Sequence, residues 1–243
     1  MELDTTKYQA QMRALLQEMP QVFAAEVLMV EARELIKRVL SFLPPKTRSQ
    51  GRSAVKRDID RTMQGLDAST FTDPTIRKII LSGDVAAIQR LVDVSPKYAG
   101  MVVALFDSAL HTSKRSRYGR VAATNKPALV PQPTMVKNYT TSVQNRVGLL
   151  KSGYAPAAAS LGLALPAWVR SHGSGLGGYD LKVTSAAGTQ MLTITHRSGK
   201  WPDHRRTIQD ALGYRVEAMK KKVALYTAGK WVNLGGTIGR VGG

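Results

Sequence analysis

The stretch Pro44–Arg61, with the sequence PPKTRSQGRSAVKRDIDR, separates two helical patterns and concentrates positive charge. Its two prolines end the preceding helix, because proline cannot continue the helical hydrogen-bond ladder. Gly51 is expected to supply a turn, after which Ala54, Val55 and Ile59 restart an apolar helical face. Six Lys and Arg side chains fall within 16 residues here. The stretch therefore predicts a helix boundary with a strongly basic surface and no catalytic pattern.

Apolar spacing on both sides of this boundary predicts the main elements. A helix capped by Asp4 or Thr5 leads to Pro20, and a broad apolar stripe then runs to Leu43, so we expect two nearly continuous helices or one kinked helix. Two candidate strands, 179–184 and 190–196, are separated by a connection short enough for a hairpin. A long last helix is expected over about 202–230. The fold class is therefore α+β, mainly helical, with long N-terminal and C-terminal helices and a small antiparallel β-sheet.

The middle of the chain carries shorter helical patterns and one interruption. Helices are expected over 53–65, from Asp84 through Val92, and over about 136–153. The stretch 111–133 loses periodicity and contains three prolines and several basic residues, which indicates an extended surface arm. We expect a single structural domain over 1–234 with this arm, followed by a flexible glycine-rich tail at 235–243.

Composition favours an acidic partner over catalysis. The chain has 243 residues, and 35 Lys and Arg against 17 Asp and Glu give a formal net charge of +18. Such a field favours nucleic acid, an anionic membrane or an acidic protein surface. The chain contains no cysteine, which excludes disulfides and thiolate metal sites, and no apolar run reaches the roughly 20 residues of a membrane span. We expect no membrane partner.

Motifs for catalysis or cofactors are weak. Gly173–Gly178 has the spacing of a dinucleotide loop, but a candidate helix precedes it and a strand follows, the reverse of the required order. The four histidines lack the spacing that aims two ligands at one metal, so they are expected to be solvent-facing or hydrogen-bonded. No serine occurs in the nucleophile-elbow pattern. We therefore expect no enzyme activity, no cofactor and no metal site.

The basic clusters are the candidate contact residues. Each Lys or Arg beside a phosphate releases counterions without reading sequence, and an acidic protein surface would satisfy the same charges. The best local cluster is the one that begins at Lys114, whereas Lys220–Lys222 point in different directions on a helix. The candidate residues for contact with DNA or an acidic partner are Lys46, Arg48, Arg52, Lys56, Arg57, Lys114, Arg115, Arg117 and Arg120.

Several short stretches together resemble a family. They are Pro44–Thr47 through Gly51 with Ala54–Val55 and Arg57–Ile59, then His111 followed by Arg115, Arg117 and Gly119–Val121, and Tyr139 with Arg146–Gly148, Lys151–Tyr154 and Pro166–His172. With the terminal helix near 211–221, their order resembles the neck or tail-completion proteins of tailed bacteriophages, which are minor structural components at the head-to-tail junction. The longer proline-rich segment at 112–133 and the glycine tail depart from that pattern.

The resemblance implies a fold, an assembly and partners. It implies a long N-terminal helix packed on a small antiparallel sheet and on a second long helix, repeated in a homo-oligomeric ring around the DNA passage of the virion. The neighbours would be connector, head-closure, tail-terminator or tail-tube proteins, with contact to packaged DNA, after assembly in the host cytoplasm. Trp168, Arg170 and His172 would serve assembly or packing.

A second function class stays open beside this one. A non-specific nucleic-acid-binding protein in the host cytoplasm would also need the net positive charge, and its affinity would fall steeply with salt. A phage enzyme that depends on a histidine is a third and weaker reading.

Overall fold

The computed structural model describes residues 5–17, 24–115, 121–173, 177–184, 189–196 and 202–227. Contacts group the chain into two compact units, one of Met1–Lys46 with Gly148–Gly243 and one of Thr47–Val147. We call them the terminal unit and the central unit. The single domain expected over 1–234 stays a prediction, and the glycine-rich tail at 235–243 lies outside the described residues.

The described elements, in chain order, are mainly helices. They are α1 Thr6–Gln17, α2 Ala24–Phe42, α3 Arg48–Asp60, β1 Met63–Gly65, α4 Pro74–Ser82, α5 Val85–Asp93, β2 Val102–Val103, α6 Ala109–Thr112, β3 Ala128–Val130, α7 Pro133–Gln144, α8 Leu149–Ser152, α9 Ala155–Ser160, α10 Ala167–Arg170, β4 Gly177–Thr184, β5 Thr189–His196 and α11 Pro202–Thr227. A short 3-10 turn covers Ala68–Thr70. The expected α+β, mainly helical class is confirmed.

In the terminal unit, α1 and α2 pack along α11. The buried side of α2 repeats at Ala32, Ile36, Val39 and Leu43, which is the spacing of one helical face. This face packs against the region of α9 and against Ala211 of α11. The long helices are therefore joined by an apolar core, and α2 ends at Phe42, two residues before the proline pair.

The predicted hairpin is present in the same unit. Strands β4 and β5 pair antiparallel, with Tyr179 opposite Ile194 and Thr184 opposite Thr189. The connection between them lies outside the described residues. Strand β5 also contacts α2, and β4 contacts α9. The hairpin therefore lies on the helices that form the core.

The central unit contains a parallel sheet that the sequence patterns did not predict. Its strand order is β1-β3-β2, and β3 pairs parallel with both neighbours. Leu129 faces the cluster that includes Ile80 and Ile88 of α4 and α5, whereas Val130 faces the cluster that includes Ile59 of α3. Helices α4 and α5 thus cover one face of the sheet, and α3 and α7 cover the other.

Strand β3 corrects the expectation of an extended arm over 111–133. Leu129 and Val130 are fully buried, as are His111 and Val121. The prolines of this stretch flank β3, and Pro133 opens α7, where a missing N–H costs nothing. The loss of periodicity reflects a strand of only three residues, which is too short to display an alternation. Residues 116–120 of the predicted arm lie outside the described part of the chain.

The outer edge of the sheet is closed by a side chain. The Gln89 amide of α5 donates from Nε2 to the Met101 carbonyl oxygen at 3.0 Å, and its Oε1 accepts from the Val103 N–H at 2.7 Å. The Val103 N–H belongs to β2 and the Met101 carbonyl precedes it, and both point away from β3. Gln89 therefore takes the place of a further strand.

The start of α3 corrects a second expectation. The helix begins at Arg48, not near Ser53, because the Thr47 hydroxyl caps it by accepting from the Gln50 N–H at 3.2 Å. Gly51 is buried inside the helix and forms no turn. Among the described residues, no helix is both long and apolar enough to cross a membrane.

Candidate functional site

Three cations form a line on one side of α3. Arg48, Arg52 and Lys56 recur every four residues, so they follow one another along the helix surface. Together with three polar side chains, Ser49, Ser53 and Gln144, they line an open groove of about 440 Å³. We call it the α3–α7 groove, because its last lining residue belongs to α7. None of these six side chains is acidic or aromatic.

The packing of α3 holds this line at the surface. Gly51 and Ile59 are buried, and Val55 packs on the same core. This buried face of α3 lies beside the face that carries the three cations. Gln144 Nε2 of α7 donates to the Arg52 carbonyl oxygen at 3.0 Å, which ties the two walls of the groove together. The cations therefore flank a fixed surface and are not carried by a free loop.

The local electrostatics keep the groove positive. The first turn of α3 contains no acidic side chain, so the positive end of the helix dipole adds to the charge of Arg48. Lys56 Nζ contacts Asp60 Oδ2 at 2.6 Å. Because this ion pair is exposed, it contributes little to stability, and Lys56 can give up Asp60 for another anion. Arg52 Nε is buried and has no hydrogen-bond partner among the described residues.

The other predicted contact residues do not line the groove, or they lie outside the described residues. Lys46 belongs to the terminal unit, and Arg57 is exposed on α3 but does not line the groove. Lys114 is exposed, and Arg117 and Arg120 lie outside the described residues. Of the nine candidates, the structure thus brings Arg48, Arg52 and Lys56 together.

Arg115 belongs to a partly buried network around Asp58. Its Nε lies 3.4 Å from Asp58 Oδ2, the same oxygen that lies 3.0 Å from His111 Nε2. Asp58 Oδ1 accepts from the Val121 N–H at 2.7 Å, and Arg115 forms a β-bridge with Val121. One carboxylate of α3 therefore holds both ends of the basic segment 115–121.

His111 completes the network through Tyr139. Its Nδ1 lies 2.9 Å from the Tyr139 hydroxyl, so the histidine is hydrogen-bonded on both ring nitrogens. Burial raises the pKa of Tyr139, which keeps the hydroxyl protonated at neutral pH. The arrangement binds side chains in place and does not activate the tyrosine as a nucleophile. Sequence analysis missed Asp58 and Tyr139, because no local spacing links residues 53 and 28 positions from His111.

Two of the three predicted packing residues, Trp168 and His172, meet at Gly148 in the terminal unit. Gly148 has φ +100, and a Cβ added there would lie 2.5 Å from Cζ3 of Trp168 and 3.3 Å from Nε2 of His172. Trp168 and His172 therefore pack on the glycine backbone, whereas Arg170 is exposed. The first two have a packing role within this unit.

A second histidine cluster lies in the core of the terminal unit. The Tyr154 hydroxyl lies 2.7 Å from His204 Nε2, and the His196 and His204 rings lie 4.3 Å apart between centroids. Burial and the neighbouring His196 lower the pKa of His204 to about 4. Both rings are therefore neutral at physiological pH. In the described part of the chain, no group of three or more His, Asp or Glu side chains is placed to hold a metal ion.

Comparisons of this chain with protein-family models, with curated proteins and with solved structures find no match. The features that bear on function are therefore the order of sequence segments, the packing of the terminal unit and the α3–α7 groove.

Proposed function

We propose that this chain is a structural protein of a tailed-phage virion that forms part of the neck or tail-completion assembly at the head-to-tail junction. The observation that carries the proposal is the packing of α2. This long N-terminal helix contacts both the long C-terminal helix α11 and strand β5 of the antiparallel hairpin. The resemblance of the sequence to neck proteins implies that arrangement, and the helices that form it were expected from apolar spacing alone.

The proposed role is assembly and not catalysis. Copies of the chain would form a closed ring around the DNA passage, with connector, head-closure, tail-terminator or tail-tube proteins as neighbours. The net charge of +18 and the α3–α7 groove suit a position beside packaged DNA or beside acidic subunits. The Asp58 and Tyr154 networks are compatible with this role, because each links distant segments of the chain within its own unit.

Counting copies in purified virions tests the proposal. Quantitative mass spectrometry of the particles, scaled to the major capsid protein, should find roughly one ring, on the order of six to twelve copies, as closed cyclic symmetry allows. Absence of the chain from particles that are otherwise complete, together with abundance in the infected-cell lysate, would rule out a virion component.

A second candidate function has its own support. The line of Arg48, Arg52 and Lys56 also suits a non-specific nucleic-acid-binding protein of the host cytoplasm. For that function, the chain should be abundant in lysate, absent from particles and recovered with nucleic acid. The copy number in virions separates the two candidates.

A further inference from the structure

We infer that the α3–α7 groove binds the phosphate backbone of double-stranded DNA. The inference deepens the proposed function, because it names the partner of one surface, and it rests on the neck proposal only for the source of the DNA. It also separates this surface from the other basic residues of the chain. Three features of the groove support it: the spacing of the cations, the chemistry of the lining and the unpaired Nε of Arg52.

The spacing suits a row of phosphates. A rise of 1.5 Å per residue places Arg48 and Lys56 about 12 Å apart along the helix axis, with Arg52 halfway between them. One strand of duplex DNA presents a phosphate about every 3.4 Å along its axis, so about three or four phosphates span that length. Three cations on a fixed helix face can therefore engage one strand together.

The chemistry of the lining favours phosphate over an acidic protein. Each of the six lining side chains carries a hydrogen-bond donor: two guanidiniums, one ammonium, two hydroxyls and one amide. Arg, Lys, Ser and Gln are the residue types that contact phosphate oxygens in protein–DNA interfaces. Protein interfaces instead depend on buried aromatic or apolar anchors, and the groove lining has none.

The same lining argues for a duplex and against single strands. Proteins that bind single-stranded nucleic acid stack bases on aromatic side chains. No aromatic side chain lines this groove. Binding would therefore use the backbone alone and would be independent of base sequence.

Arg52 has a donor that lacks an acceptor. Its Nε is buried and unpaired among the described residues, although buried N–H groups in proteins are nearly always hydrogen-bonded. The carbonyl oxygen of the same residue is already bound by Gln144, which fixes the backbone beside the groove. A phosphate oxygen is an acceptor suited to a guanidinium, so we expect Arg52 to contact the same strand as Arg48 and Lys56.

The test measures how DNA affinity depends on salt. Binding of the full-length protein to a mixed-sequence duplex of about 20 base pairs is followed from about 50 to about 200 mM salt, where the logarithm of affinity falls linearly with the logarithm of salt. The variants are Arg52→Gln and the triple variant Arg48→Gln, Arg52→Gln, Lys56→Gln. The control is Lys78→Gln, which removes one exposed charge from α4 on the opposite face of the sheet.

If the inference is right, the slope becomes less steep by about 0.9 for Arg52→Gln and by about 2.7 for the triple variant. Lys78→Gln should keep the wild-type slope, and duplexes of different sequence should bind equally. Circular dichroism of each variant should match the wild type, because Arg48 and Lys56 are exposed and glutamine can occupy the half-buried position of Arg52.

Three results would overturn the inference: no binding of the wild type at about 50 mM salt, equal slopes for Lys78→Gln and Arg52→Gln, or a polyglutamate peptide that binds more tightly than an oligonucleotide of equal charge. The last result would assign the groove to an acidic protein. Each of them leaves the neck proposal standing if the wild-type copy number in virions is that of a ring.

Discussion

Glu31 of α2 is fully enclosed and pairs with Arg215 of α11, whose Nε donates to Glu31 Oε2 at 3.2 Å. Arg215 Nη2 contacts the same oxygen, and Lys222 Nζ donates to Oε1 at 2.7 Å. Burial, and then the Glu31 carboxylate, raise the pKa of Tyr8 of α1. The three long helices of the terminal unit therefore meet around one charged side chain.

Replacement of Glu31 should strongly destabilise the terminal unit. Glu31→Ala leaves Arg215 and Lys222 without their acceptor in a buried place, and loss of one partner of a buried ion pair costs about 3–5 kcal/mol. Urea unfolding at neutral pH measures the change. Glu34→Ala is the matched control, since it removes the acid of an exposed pair with Lys37 three residues along the same helix and should cost less than about 1 kcal/mol. Equal costs for the two variants would contradict this account.

Asp58→Asn should increase the local mobility of the backbone at Arg115 and Val121. The substitution removes the charge that His111 and Arg115 share, and loss of a hydrogen bond to a charged group costs roughly 1.5–3 kcal/mol. Amide hydrogen exchange at Val121 should speed up, because its N–H donates to Asp58 Oδ1 and the neutral amide oxygen of asparagine is a weaker acceptor than a carboxylate oxygen. Asp60→Asn changes the same residue type two positions away, where the carboxylate pairs with exposed Lys56, and should leave that exchange unchanged.

Gly148→Ala should cost more stability than Gly162→Ala. Both glycines have positive φ, so alanine pays about 1–2 kcal/mol of backbone strain at either position. At Gly162 a Cβ meets nothing within 4 Å, whereas at Gly148 it would lie 2.5 Å from the Trp168 ring. Overpacking adds about 1–3 kcal/mol there. Thermal unfolding compares the two variants, and near-ultraviolet circular dichroism should report a displaced tryptophan for Gly148→Ala only.

Stability should fall as the pH drops from about 6.5 toward about 4. The folded-state pKa of His204 is about 4, lowered by burial and by His196, whereas an unfolded histidine titrates near 6.5. The unfolded chain therefore binds a proton first, and the stabilisation present above pH 6.5 is lost as the pH approaches the folded-state pKa. The loss from this group amounts to about 3 kcal/mol at most. Urea unfolding at several pH values measures it, and His204→Gln should flatten the curve. An unchanged slope in that variant would assign the pH dependence elsewhere.

The apolar spacing of the sequence was sufficient to predict the long helices and the hairpin. The stripe through Ile36, Val39 and Leu43 forms the buried face of α2, and Asp84 caps α5 as expected by accepting from two backbone N–H groups at 3.0 Å. Strands β4 and β5 lie within two residues of the predicted bounds. Elements with several periods of their pattern were thus predictable.

The parallel sheet and the groove were not predictable in the same way. Strands of two or three residues, such as Val102–Val103, are shorter than one clear alternation, and parallel pairing leaves no turn signal between neighbours. The groove depends on Gln144, which lies 92 positions from Arg52 in the chain. The basic residues of α3 were identified as candidates, but only the packing of α7 distinguishes Arg52 from Arg57.

The Gln89 side chain has a consequence for assembly. By bonding to Met101 and Val103, it occupies the backbone groups through which β2 could recruit a foreign strand. Exposed sheet edges invite uncontrolled edge-to-edge aggregation, which would be hazardous at the high local concentration of identical copies in the ring that we propose. Gln89 thereby hinders the addition of a foreign strand at this edge of the central unit, so the ring that we propose would have to close through other surfaces.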